Sequence, residues 1–188
     1  MLLYDLGEAS TPRFLGIAGL RPIDPAAFDK TLEALAHLGA VSAQLMDADA
    51  VAGPEHILSA ALLAAKAWFK KGNISRTPAT EVLLYASGKR QIKEAIASIG
   101  VGSKARGWAV MALATSKSQL RDMDRELEKH GQRDDSLLEL TDRKIPVLKG
   151  RFDLSEKEIS AIRPLFRSRR AAIQSLILEQ VALSEIRR

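Results

Sequence analysis

Residues 72–101, GNISRTPATEVLLYASGKRQIKEAIASIGV, leave this chain few ways to fold. They read as a helix, a sharp basic corner and a second helix. Thr77 is placed to cap the first helix, and Pro78 follows at its first position, where a missing N–H costs nothing. Val82, Leu83 and Ala86 recur at helical spacing, and Gly88 supplies the positive-φ residue on which helices end. Lys89, Arg90 and Gln91 stand at the corner. Ile92, Ala95, Ile96 and Ile99 form an apolar stripe at i, i+3, i+4 and i+7, which Gly100 closes. Two buried faces would grip this corner rigidly and turn three donor-bearing side chains outward.

The rest of the chain sets the frame around that corner. Its 188 residues, 46% of them hydrophobic, suit one domain (1–188) with a real core. A net charge of +5 admits an anionic partner such as RNA, although a solvated surface explains it equally well. The absence of cysteine excludes disulfides, thiolate zinc sites and cysteine nucleophiles, and fits a reducing compartment. The opening MLLYDLGEAS lacks a basic segment and carries Asp5 and Glu8, unlike a signal peptide. The longest apolar run, residues 57–69, is broken by Ser59 and Lys66 and is too short to span a bilayer. A soluble, cytoplasmic protein with no membrane partner is the expectation.

Taken in order, residues 2–7 and 14–20 read as two short strands around a loop at Thr11-Pro12, with Gly16 and Gly19 weakening the second. Asp24-Pro25 opens a helix whose stripe is Phe28, Leu32, Leu35 and Ala36, stopped by Gly39. Val41, Ala43 and Leu45 alternate with Ser42, Gln44 and Met46 as a half-buried strand. Gly53-Pro54 starts a long helix with a wide apolar face (Ile57, Leu58, Ala61, Leu62, Ala65, Trp68, Phe69) that ends at Gly72. After the corner and a basic loop with Lys104 and Arg106, residues 108–114 read as a buried strand. Ser116 and Gln119 make a capping box for a helix carrying Leu120, Met123 and Leu127. Residues 132–144 are charged, turn-rich and suited to a flexible segment. Residues 145–148 suggest an edge strand or loop because of Pro146. Ser155 and Glu158 make a second capping box, with Leu154 stapled to Ile159, and Pro164 kinks that helix or begins the next turn. A last helix from about Ser168 carries Ile173, Leu176, Ile177 and Val181, with residues 182–186 as a closing strand. The sum is an α+β fold: a mainly antiparallel sheet of four to five strands packed with six to seven helices.

Catalytic constellations are missing. GVGSKARG is not a phosphate cradle of the G-x-x-x-x-G-K-[ST] kind, and no G-x-G-x-x-G, H-E-x-x-H or G-x-S-x-G occurs. His37, His56 and His130 have no second histidine at metal-pair spacing, and Asp47/Asp49 and Asp134/Asp135 read as turn residues. No metal, cofactor or catalytic residue is expected, and a binding module is simpler than an enzyme.

The same stretch, NISRTPATEVLLYASGKRQIKEAIASIGV, resembles the signature of the small kinase-binding subunit of the KEOPS (EKC) complex, the family of the eukaryotic PRPK-binding protein. That pattern runs N-I-A-R, then E-x-L-L-Y-x-S-G-x-R-Q-I-x-x-A, then a glycine. It is matched by Asn73, Ile74, Arg76, Glu81, Leu83, Leu84, Tyr85, Ser87, Gly88, Arg90, Gln91, Ile92, Ala95 and Gly100, with Ser75 where alanine is usual. HILSAALLAAKAWFKKGN and the C-terminal LILEQVALSEI look like the family's flanking segments, so the resemblance covers over half the chain. It implies a mixed α/β fold and a non-catalytic subunit that binds and stimulates the complex's small atypical kinase/ATPase. It also implies binding of the single-stranded CCA end of transfer RNA, in support of threonylcarbamoyl-adenosine modification.

Physical chemistry suggests where these partners would bind. Single-stranded ends present phosphates and unstacked bases. Arg90 can bind phosphate in a bidentate way, Gln91 can donate and accept, Lys89 adds charge, and Arg76 and Asn73 lie just before the first helix. These five are the candidate RNA contacts; the competing reading has Arg90 and Gln91 capping or pairing within the helix pair, with Glu94 or Glu81. A kinase interface needs exposed apolar surface, and Leu176, Ile177, Val181 and Leu183 of the last helix are the candidates, against a core role for all four. The alternative function is a protein-only scaffold or regulator of the kinase with no RNA contact.

Overall fold

A strand that is apolar at every position needs cover on both faces, and residues 108–114, WAVMALA, are such a strand. The computed structural model describes residues 1–7, 12–103 and 105–186, with only the backbone of Phe69. Thr11, Lys104 and the Phe69 side chain therefore lie outside the described residues. The strands are β1 (Leu2–Asp5), β2 (Phe14–Pro22), β3 (Ser42–Asp47), β4 (Trp108–Ala114) and β5 (Gly131–Arg133). The helices are α1 (Phe28–His37), α2 (Pro54–Phe69), α3 (Pro78–Ser87), α4 (Ile92–Ile99), α5 (Lys117–His130), α6 (Ile145–Phe152), α7 (Glu156–Ile162) and α8 (Arg169–Ile186).

The sheet is open and antiparallel, in the order β1-β2-β4-β3, and β5 pairs residues 20–22 of β2, past the stretch that β1 occupies. Alternation along the strands builds two cores. Ala109, Met111 and Leu113 face one with Leu15, Ile17 and Met46, beneath α2, α3, α4, α6, α7 and α8. Trp108, Val110, Ala112 and Ala114 face the other with Ala18, Leu20 and Leu45, beneath α1 and α5. The fold is α+β, as the sequence predicts, with one more helix than the count made from it.

Gly19 has a structural reason to be glycine. A Cβ there would lie 2.0 Å from the Asp134 carbonyl oxygen, which crosses the strand at that point. Residues 132–144 lie against this crossing: Gln132 is in β5, Leu137 and Leu138 are buried, and Lys144 is 1% exposed.

Several sequence expectations are corrected. Residues 145–148 begin α6, because Pro146 sits in a first turn, where it is as acceptable as on a sheet edge. Residues 182–186 continue α8, with Val181 and Ser184 buried one turn apart. Asp24-Pro25 makes a turn, in which Asp24 accepts the Ala26 N–H, and α1 starts only at Phe28. In α1 Ala36 is exposed, and Thr31 takes the buried place because its hydroxyl donates to the Ala27 carbonyl. Strand β3 is covered on both sides, with Leu45 and Met46 in opposite cores. In α2 the buried line is His56, Ile57, Ala60, Ala61 and Ala64, Leu62 is exposed, and Lys71 rather than Gly72 takes the left-handed conformation. In α4 only Ala95 and Ile99 are buried; Ile92 and Ile96 are 40% and 53% exposed, and Gly100 is extended and bridges to Met46.

Candidate functional site

The corner is built on α3, which is buried along almost its whole length. Thr77 Oγ1 accepts the Thr80 N–H at 3.2 Å and Pro78 occupies the first turn, as their order predicts. At the other end Gly88 turns the chain at φ 64. Ser87 Oγ donates to the Leu84 carbonyl and accepts the Lys89 N–H, which pins the turn.

Beneath it lies His56, fully buried in the first turn of α2. Its Nδ1 accepts the Ala52 N–H, so the proton sits on Nε2 and is donated to the Ala86 carbonyl at 2.8 Å. Burial first, and then the nearby Lys144 charge, push its pKa down to about 4 against the favourable bond to Ala86. His56 therefore stays neutral and holds the last turn of α3, just before the corner.

Lys89, Arg90 and Gln91 are all exposed, and their side chains make no hydrogen bond or ion pair among the described residues. Glu81, the suggested internal partner, is buried instead and accepts the Ile74 and Ser75 N–H groups at 3.1 and 2.8 Å. That carboxylate shapes the loop before α3, where Asn73 donates its amide to the Ser75 carbonyl and Arg76 is exposed. The five candidate RNA residues thus fall into two groups. Asn73 and Arg76 lie at one end of α3 and Lys89, Arg90 and Gln91 at the other, ten residues or about 15 Å apart.

One charge signal is legible in the sequence. Residues 70–93 hold six of the 28 Lys and Arg but one of the 23 Asp and Glu, so the other 22 of each cancel and this stretch carries the whole net charge of +5. Lys70, Lys71 and Lys93 belong to it, exposed and without an ion pair among the described residues. The carboxylate pairs elsewhere are occupied: Asp47 and Asp49 by Arg151 and Arg143, Asp134 and Asp135 by Arg21 and Arg133.

Along α8, Ile177 and Val181 have no exposed surface, while Leu176 and Leu183 are half-buried. The helix start is fixed by Arg169 on Glu156 and Arg170 on Asp142. Between α8, α7 and the corner lies a cleft of about 310 Å³ reached by Lys89, Asp153, Glu158 and Gln180. Among the described residues no cluster of His, Asp or Glu could hold a metal, and no helix is long and apolar enough to cross a membrane.

Residues 29–185 match a protein-family model, that of Kinase binding protein CGI-121. No curated protein matches the chain.

Proposed function

We propose a function from one premise: this chain belongs to the kinase binding protein CGI-121 family, the family of the kinase-binding subunit of the KEOPS (EKC) complex. The protein is a non-catalytic subunit. It docks on the small atypical kinase/ATPase of that complex and raises its activity. It also binds the single-stranded CCA end of transfer RNA, in support of threonylcarbamoyl-adenosine formation. The half-buried Leu176 and Leu183 supply the apolar surface for the kinase, stiffened by the buried Ile177 and Val181 behind them.

The observation that carries the RNA half is the corner itself. Lys89 and Arg90 project from a turn fixed by Gly88, Ser87 and His56, and neither forms an ion pair among the described residues. A partner-free guanidinium and ammonium on a rigid support can meet phosphates with little reorganisation. The experiment is a binding titration of the purified protein with transfer RNA, with and without its last three nucleotides. Binding that depends on those nucleotides is the expected result. Equal binding of both forms removes the CCA end from the site, and binding of neither favours a protein-only scaffold.

A further inference from the structure

The cleft beside the corner, about 310 Å³, is of the size that holds small polar ligands. Its two sides differ in charge. Gly88 and Lys89 form one; Asp153, Glu158 and Gln180 contribute to the other, and Arg151 also lines the cleft with its guanidinium held by Asp47 and the Ser98 carbonyl. Asp153 stands past the end of α6 in a left-handed conformation, φ 51, and its carboxylate has no partner among the described residues. Glu158 commits Oε2 to the Ser155 N–H and hydroxyl, which lower its pKa and keep it ionised, while Oε1 has no such bond. Gln180 gives its amide N–H to the Phe152 carbonyl at 2.8 Å, and its side-chain oxygen has no partner among the described residues.

A plain anion is repelled by the carboxylate side and a plain cation by Lys89. A ligand with an anionic group at one end and hydroxyl donors at the other satisfies both. We propose that this cleft seats the terminal ribose of an RNA strand, its 5′ phosphate on Lys89 and its 2′ and 3′ hydroxyls donating to Asp153 and Glu158. The inference rests on the RNA reading above and adds to it. The site then reads the chemical state of the end and accepts a free cis-diol. An end that lacks the donors leaves carboxylates unpaired, and a phosphorylated end sets like charges together.

The test is fluorescence anisotropy with a short RNA hairpin ending in unpaired CCA, made with a free diol, a 2′,3′-dideoxy end or a 3′-phosphate. The free diol should bind about tenfold or more tighter than either, the scale of a charge-assisted hydrogen bond. Asp153→Asn and Glu158→Gln preserve the turn and the cap and should bring the three affinities together. If the unaltered protein binds all three ends equally, or both variants keep the full preference, the proposal is overturned and the RNA reading stands. If it binds none of them, both fall.

Discussion

Two regions of this molecule handle charge in opposite ways. In residues 70–93 the one carboxylate, Glu81, is buried on two backbone N–H groups, and the cations are left outside. In residues 131–170 the arrangement is inverted. Lys144 is buried with its ammonium on the Val51 and Leu137 carbonyls, while Arg133, Arg143, Lys149, Arg151, Arg169 and Arg170 each meet a carboxylate. In both a buried ion fixes a loop through backbone groups. In the first no exposed cation has a carboxylate partner among the described residues; in the second most do, and paired surface charges cancel each other at short range.

The strongest way to break this comparison is at the buried anchor of the second region. Lys144→Met leaves two carbonyls without their donor and should cost about 3 kcal/mol, a Tm lower by roughly 6–12 °C for a chain of this size. Calorimetry checks it, and an unchanged Tm would deny Lys144 its anchoring role. The lysine carries its own penalty, since burial lowers its pKa to about 8.

A comparable effect is expected at the support of the first region. The folded pKa of His56 is about 4, against 6.5 for the unfolded chain. Between those values only the unfolded chain takes up a proton. Stability is therefore full above pH 6.5, falls as the pH drops, and has lost about 3 kcal/mol from this group near pH 4. Urea titrations at pH 7 and 4.5 measure the loss. His56→Gln should shrink it, while a loss of the same size in the variant would assign it to the carboxylates.

The smallest effect sharpens the contrast most. Arg90→Ala and Arg170→Ala both remove an exposed guanidinium, and neither should change Tm measurably. Only Arg90→Ala should weaken RNA binding, with a log-salt slope flatter by about 0.7 for one lost phosphate contact. Matching slopes for the two variants would mean that free and paired cations are equivalent here.

Local signals set the structure most faithfully where they act within one turn. The Thr77 cap, the Gly88 stop and the Ser116 and Ser155 capping boxes form as their residue order predicts, because each is closed by neighbours three residues away. Pro146 misled because a first helical turn and a sheet edge both tolerate a missing N–H. Part of the site was legible in the same way: the corner's exposed trio follows from two helices meeting at glycine. So was the split between Arg76 and Arg90, which the length of the helix between them sets; the burial of Glu81 on the loop before that helix was not.

The sequence alone determined the helix–corner–helix unit, the fully covered strand, the α+β class and the place of the net charge, for these follow from spacing and residue type. Tertiary structure decided which apolar residues face outward and which ions turn inward. Ile92 and Ile99 share one stripe, yet only Ile99 is buried; Glu81 and Lys144 look like surface residues, yet both are buried on backbone groups. Those outcomes depend on what packs opposite, and periodicity along one element carries no information about that.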